Sequence, residues 1–412
     1  MARFEAALAR ASKGFVPPEH AETIARTCET AKFDARQLAS DARTAGTLAI
    51  PFVRALTAQV PGEAARYVHF GATSQDVTDT AVVLCLREAA QRMLALARRL
   101  GDAAASLAER HRDTPSVART LLQPAIPVPF GWKAAVWLSL VDRGYRNFRR
   151  AANDFAVLQF GGAGGTLAAF GTSGDAVAAA LAQELGLQKP AVTWHSARDA
   201  FARFGAEAAI LTGAAGKVAR DVSLLMQPEV GEALEPAGAG RGGSSALPHK
   251  RNPAGSLLAL EASQRVPALV ATLISALTPE HERGLGQWQA QWFTLRSLAG
   301  AAGSALAAMA ETLEGLELSP SAMAGNLERS RGLVFSEALS LHLARKLGKS
   351  AAHALTEKLC ARAVQEGRHL REVAAEHVAA QELAALFDAR SAFGAAHAMI
   401  DRALATWRET AP

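Results

Sequence analysis

Gly240-Arg241-Gly242-Gly243-Ser244-Ser245-Ala246-Leu247-Pro248-His249-Lys250-Arg251-Asn252-Pro253 runs almost directly into the apolar stretch Ser256–Leu277. Three glycines, Gly240, Gly242 and Gly243, loosen the backbone ahead of a serine pair, because glycine reaches angles that other residues cannot. Pro248 keeps Leu247 out of the helical region. Asn252-Pro253 reads as a helix N-cap followed by proline at the first helical position. The stretch therefore predicts a mobile loop bearing Ser244, Ser245 and Lys250, set at the positive end of a long helix. There Lys250, loop N–H groups and the helix dipole would stabilise a serine alkoxide. Such a base can take a proton from carbon next to a carboxylate. The plainer reading is a linker that contains a lysine.

Working outward, Ser256–Leu277 carries leucine, valine, alanine and isoleucine almost all round, with Glu261, Gln264 and Arg265 the main exceptions. A helix apolar on every face is buried on every face. Several such helices in one chain predict a bundle completed by other subunits. Long helices are expected from Asp76 to about His111, with Asp76 or Thr78 as cap, and over 130–158, 198–227, 253–277 and 285–315. A proline-rich connection (Pro115, Pro124, Pro127, Pro129) separates the first two. Short helical patterns fill residues 1–80, broken by Pro17-Pro18, Pro51 and Pro61-Gly62, and return over 334–412. The expected fold is all-α in three parts: an N-terminal helical domain 1–80, a central long-helix bundle 81–333 and a C-terminal helical domain 334–412.

Composition agrees with helices. Half of the 412 residues are hydrophobic but only 6% are aromatic, and β-branched residues are scarce. The net charge of +5 is spread along the chain. Its short clusters, His249-Lys250-Arg251 and Arg146-Asn147-Phe148-Arg149-Arg150, lack the interleaved aromatics of a nucleic-acid-binding stripe. Cys28, Cys85 and Cys360 are widely separated and without metal spacing, and read as buried residues of a reducing compartment. No charged-then-apolar leader and no uninterrupted apolar run of membrane length is found. The expectation is a cytoplasmic protein with neither nucleic-acid nor membrane partners.

Two further segments invite chemistry. Gly161-Gly162-Ala163-Gly164-Gly165 matches neither the dinucleotide fingerprint nor the phosphate loop, so a tight turn at a helix break is expected. Tyr67-Val68-His69-Phe70-Gly71-Ala72-Thr73-Ser74-Gln75-Asp76 sets a histidine and two short hydroxyls before a long helix, a natural carboxylate-binding arrangement. Asp76 reads as a cap. His69 reads equally as a substrate contact or as a satisfied loop histidine.

The 240–253 stretch resembles the signature loop of the fumarase/aspartase superfamily, Gly-Ser-Ser-x-Met-Pro-x-Lys-x-Asn-Pro, with Leu247 in place of methionine. The resemblance implies that Ser244 is the catalytic base, with Lys250 and Asn252 stabilising the enolate-like intermediate. It implies a homotetramer built on a shared helical core, each active site gathering loops from three subunits. Gly71-Ala72-Thr73-Ser74-Gln75-Asp76 resembles the first signature region, where the Thr-Ser pair contacts a substrate carboxylate. Its wording is similar to the 3-carboxy-cis,cis-muconate cycloisomerase branch. Arg119-Thr120-Leu121-Leu122-Gln123-Pro124-Ala125 resembles the second region, which assigns Thr120 and Gln123 to the substrate. Glu280-His281-Glu282-Arg283-Gly284-Leu285-Gly286-Gln287-Trp288 resembles a cycloisomerase segment and makes Arg283 the candidate grip for a second carboxylate. A salt bridge from Arg283 to Glu280 or Glu282 competes with that role. The run Gly216–Glu229 also follows the branch, its charges expected to support the bundle, with Lys217 and Arg220 the alternative substrate contacts.

Most of the superfamily has a histidine after the region-two threonine, held by a glutamate five residues beyond the signature asparagine. Here those positions are Leu121 and Leu257. An amine or hydroxide leaving group needs a proton from such an acid. A carboxylate, whose conjugate acid has a pKa of about 4, leaves unaided. The chain is therefore expected to add or expel a carboxylate, as a cycloisomerase forming or opening a lactone does. The expected substrate is a small polycarboxylate, with no metal or organic cofactor. The rivals are a fumarate-releasing lyase, such as an adenylosuccinate lyase, and a catalytically silent helical scaffold.

Three departures stand out. The branch's His-Ala-Glu-Trp-Glu is Gln289-Ala290-Gln291-Trp292-Phe293, many relatives' Gln-His-Ala is Gln123-Pro124-Ala125, and Arg3–Ala9 align well inside the relatives' first domain, implying a shortened start.

Overall fold

The computed structural model describes residues 1–238 and 240–410; residues 411–412, the end of the expected C-terminal domain, lie outside the described residues. Four short helices, α1 (Ala2–Ala11), α2 (Pro18–Thr30), α3 (Ala35–Ala45) and α4 (Ala49–Thr57), precede the long α5 (Ser74–Arg110). A β-hairpin of β1 (Pro115–Thr120) and β2 (Gln123–Pro129) leads into α6 (Phe130–Phe155). Then come α7 (Gly174–Leu185), α8 (Asp199–Leu225), β3 (Ala233–Leu234), α9 (Ala254–Ser275) and α10 (Gln287–Glu314). The chain continues through β4 (Glu317–Leu318), α11 (Pro320–Glu328), α12 (Ser336–Leu347) and α13 (Lys349–Glu366). It finishes with α14 (Leu370–Ala374), α15 (Ala380–Leu386) and α16 (Ala396–Glu409).

The all-α expectation holds, and each long helix begins and ends within a turn of where its pattern placed it. Strands among the described residues are confined to two antiparallel ribbons, β1–β2 and β3–β4. The first corrects the reading of 115–129 as a plain connection. Its turn residues, Leu121 and Leu122, carry φ of 49° and 67°. That left-handed pair is normally built from Asn and Gly, so nothing local advertised a hairpin.

A second correction concerns the start of α9. The helix begins at Ala254, one residue later than expected, and Asn252 does not cap it. Instead the buried Glu235 carboxylate accepts Gly255 N–H (2.9 Å), Ser256 N–H (2.8 Å) and Ser256 Oγ–H (2.7 Å). A carboxylate from a separate segment thus fills the positive helix end that the sequence reading assigns to Ser244.

The chain forms two compact units, each discontinuous in sequence. The first comprises 1–94, 147–210 and 264–303. Its core packs Phe155 edge-on against Phe201 and tilted against Phe204, ring centroids 5.0 Å apart in each pair, and Phe148 tilted against Phe204 at 5.3 Å. Within it Gly205 lets α8 approach α9 closely: a Cβ there would lie 2.5 Å from Leu273 Cδ1. The second unit comprises 95–146, 211–263 and the residues from 304 onward. There the Arg98 guanidinium lies 4.5 Å from the Trp407 ring centroid, and the indole N–H donates to Asp102 (2.8 Å).

Two surface features bear on the expectations. Cys85 is exposed and Cys28 and Cys360 half-buried, all free thiols, which corrects their reading as buried. Helix register puts Cys85 on the outer face of α5. Burial, with Glu5 adding to it, still pushes the Cys28 thiol up to about 12. On α9, Leu257, Leu258 and Ile274 are exposed in the single chain, although its hydropathy resembles that of a membrane span.

A methyl group at Gly255 would land 2.1 Å from Thr312 Oγ1 and 3.2 Å from Glu235 Oε2. Gly255→Ala is therefore expected to displace the Glu235 cap and destabilise the fold by about 1–3 kcal/mol. A thermal midpoint equal to wild type would show that the cap tolerates the intrusion.

Candidate functional site

In the first unit the site is built on the first turn of α5. Thr73 is the N-cap, its carbonyl accepting Asp76 N–H (3.0 Å), and the Asp76 carboxylate answers by accepting Thr73 N–H (3.0 Å). This is the reciprocal half of a capping box. Asp76 does more than cap. Fully buried, it also accepts Gly161 N–H and Gly162 N–H (both 2.9 Å) and meets His195 Nε2 at 2.7 Å. The glycine turn is thus clamped to the helix start, and the Gly161 and Gly162 N–H groups, engaged by Asp76, are not free to cradle a phosphate. Gly71 and Gly162, at φ 69° each, allow that contact: a Cβ on Gly162 would sit 2.8 Å from the Gly71 carbonyl.

Arg283 closes the cradle. Its Nη1 donates to Thr73 Oγ1 (3.2 Å) and its Nη2 to the Ala163 carbonyl (3.3 Å). Its Nε is buried without a partner. Glu280, the competing salt-bridge acid, accepts Leu285 N–H (2.9 Å) and the Gln287 amide (3.1 Å) instead. Among the described residues no carboxylate pairs with Arg283. A cation held by neutral acceptors beside a helix N-terminus, with Ser74 half-buried next to it, has the chemistry to receive a carboxylate.

One turn along α5 lies a lock that the sequence did not reveal. Buried Arg198 donates from Nη1 (2.6 Å) and Nη2 (3.1 Å) to Asp79, and from Nε (3.0 Å) and Nη2 (2.6 Å) to Gln291 Oε1. Trp288 Nε1 (2.9 Å) and Gln75 Nε2 (3.1 Å) complete the Asp79 shell. Gln291, one of the departures, is thus a neutral acceptor in a balanced ion pair. Neither His195 nor Arg198 belongs to a local motif; only their burial as polar residues marks them.

His69 sits at φ 61°, its Nδ1 2.7 Å from Oε1 of buried Glu5. It is a paired loop histidine, the second of the two readings. Burial lowers its pKa, but the hydrogen bond and charge of Glu5, with Asp76 adding, prevail and hold it above 6.5.

The second unit carries the remaining candidates. Residues 240–252 form a loop with a closed neck: Asn252 N–H donates to the Gly242 carbonyl (2.8 Å) and Asn252 Nδ2 to the Gly243 carbonyl (3.2 Å). Gly242, at φ 66°, is required there, since a Cβ would lie 2.4 Å from Asn252 O. Arg241 reaches Thr312 (3.2 Å), and Arg251 reaches Glu317 (3.3 Å) and the Glu235 carbonyl. Between these anchors Ser244 Oγ accepts Leu247 N–H at 3.1 Å, one of the loop donors an alkoxide needs. Lys250 is exposed. Thr120 and Gln123 face each other across the exposed Leu121-Leu122 tip. Lys217 pairs with Asp221, which also accepts Trp137 Nε1 (2.7 Å), the supporting role expected.

A raised histidine pKa contributes stability at low pH that is lost as pH climbs through the raised value. The wild-type thermal midpoint is expected to fall as pH rises above about 6.5, the ordinary histidine value. His69→Gln should flatten that fall; an identical slope in the variant would remove the His69–Glu5 pair as its source.

The chain's likeness to known proteins matches this architecture. The lyase family model matches residues 3–268, and the model of the adenylosuccinate lyase C-terminus matches 332–403. A 3-carboxy-cis,cis-muconate cycloisomerase from Bradyrhizobium diazoefficiens is 48% identical, covering 98% of this chain and 92% of its own. A nitrosuccinate lyase from Streptomyces davaonensis is 39% identical, covering 98% and 89%. The crystal structure of the 3-carboxy-cis,cis-muconate lactonizing enzyme from Pseudomonas putida superposes with a TM-score of 0.93 at 41% identity, over 99% of this chain and 94% of that one. The chain therefore belongs to the lyase family of the fumarase/aspartase superfamily.

Proposed function

We propose that this chain is a cycloisomerase interconverting 3-carboxy-cis,cis-muconate and its carboxymuconolactone. The observation that carries the reaction type is the hairpin tip. Leu121 stands, 97% exposed, where a proton-donating histidine would serve an amine or hydroxide leaving group. A carboxylate needs no such donor. The acid-free socket around Arg283 supports a substrate with several carboxylates.

In the lactonising direction a substrate carboxylate oxygen attacks the conjugated double bond. A C–O bond forms, and the alkene electron pair moves toward the carbon next to another carboxylate. The Ser244 hydroxyl delivers its proton to that carbon and is left as an alkoxide, steadied by Leu247 N–H. In reverse the alkoxide removes the same proton, the electron pair returns to the alkene and the ring carboxylate departs. Lys250 stabilises the enolate-like intermediate, and Asn252 acts with it while holding the loop neck. Thr73, Ser74 and Arg283 grip one carboxylate; Thr120 and Gln123 position another. His69 acts behind the grip, through its pair with Glu5.

The active form we propose is a cytoplasmic homotetramer, each site collecting segments from three copies. The exposed leucines of α9 and of the hairpin tip support that assembly. The proposed division into 1–80, 81–333 and 334–412 goes with it. A fumarate-releasing lyase acting on an amine is disfavoured by the same missing acid.

The test is a spectrophotometric assay following loss of the substrate's conjugated-diene absorbance. Ser244→Ala is expected to abolish turnover, and Arg283→Met to raise KM by about tenfold or more. Retained turnover in Ser244→Ala would take the serine out of the mechanism. Leu121→His is expected to bring no gain in rate; a large gain would mean that an acid is needed after all.

A further inference from the structure

The hairpin that carries Thr120 and Gln123 is a narrow ribbon with poor means of holding its own shape. Of the seven residues of β2, Pro124, Pro127 and Pro129 have no N–H to donate. The register shifts midway: Val117 faces Pro127 but Arg119 faces Pro124, so Ala125 and Ile126 together oppose Ala118. Bulges of this kind bend and twist a ribbon. The tip beyond it is also strained, since left-handed backbone costs about 1–2 kcal/mol for each non-glycine residue, and Leu121 and Leu122 both adopt it.

Side chains from outside the hairpin brace it on both sides of the bulge. Phe130 N–H donates to the Thr114 carbonyl (2.8 Å), so Ser116–Val128 is the next bonded pair and Val117–Pro127 a non-bonded one. The Val117 carbonyl therefore points off the ribbon's edge, on a residue only 1% exposed. Lys133, one turn into α6, donates to it from Nζ at 2.7 Å. On the tip side Arg119 forms a two-pronged pair with Glu232, at 2.6 Å and 3.2 Å. Glu232 is fully buried and held in turn by Asn326 Nδ2 at 2.7 Å.

We propose that Lys133 and Glu232 are positioning residues of the site, fixing the bulged stem and so setting where the tip presents Thr120 and Gln123. The proposal rests on the reading above that these two residues meet substrate. Lys133 holds its place at a cost to its own charge. Burial pushes its pKa down to about 8; Glu232 and Asp221 pull it up, Arg119 and Lys217 push it down.

The test uses the full-length enzyme with two readouts: hydrogen–deuterium exchange of the 117–124 segment, and steady-state kinetics per folded enzyme. Lys133→Met is expected to speed exchange in that segment by about tenfold. It should also lower kcat by about tenfold to a hundredfold, with a much smaller change in KM. Lys133→Arg, which keeps the donors, should recover both. If Lys133→Met does not fold, Glu232→Gln, which keeps the shape and loses the charge, should move both readouts in the same direction. Unchanged exchange, or unchanged kcat despite faster exchange, overturns the proposal. Gln123→Ala then locates the fault. If it too leaves kcat intact, the hairpin does not meet substrate; if it lowers kcat, the brace alone is irrelevant.

Discussion

Four donors converge on one buried carboxylate, Asp76, and the first unit's chemistry follows from that convergence. Thr73 N–H, Gly161 N–H, Gly162 N–H and His195 Nε2 arrive from three separate segments of the chain. A buried carboxylate is tolerable only when its oxygens are filled in this way. Filling them joins the start of α5 to the glycine turn. That junction puts Ala163 O and Thr73 Oγ1 where the Arg283 guanidinium bridges them. The Asp79–Arg198–Gln291 lock, one turn further along, ties the same helix to the first turn of α10. Position, not reactivity, is what these buried polar groups supply.

Much of this was legible in the chain itself. Long helices announce themselves through apolar periodicity and their caps, and the loop around Ser244 through its glycines and prolines. Thr73, Ser74 and Asp76 were readable because capping is a local affair. What escaped notice depends on partners far away in sequence. Glu235 lies before the loop it borders, and nothing near it says that it will cap α9 in place of Asn252. His195 and Arg198 stand among ordinary loop residues. The Leu121-Leu122 turn contradicts turn preferences outright, which is why the hairpin read as a connection. Hairpin and cap are alike in this respect: tertiary contacts overrule local preference.

Those surprises alter the chemistry more than the architecture. With Glu235 seated on the N-terminus of α9, the helix dipole is answered by a carboxylate before any serine oxyanion could use it. In the proposed reaction the stabilisation of a Ser244 alkoxide would then fall to loop donors such as the Leu247 N–H. Within the first unit, Gln291 keeps the Asp79–Arg198 pair neutral, and among the described residues no carboxylate pairs with the Arg283 that touches Thr73.

The closed neck of the serine loop has an energetic corollary. Because Gly242 and Asn252 are already joined, the residues between them form a small ring whose closure entropy is settled in the resting protein. Only the remaining freedom of that ring has to be surrendered when a ligand arrives. In the reaction proposed above, more of the ligand's contact energy would then be left to drive the proton transfer itself.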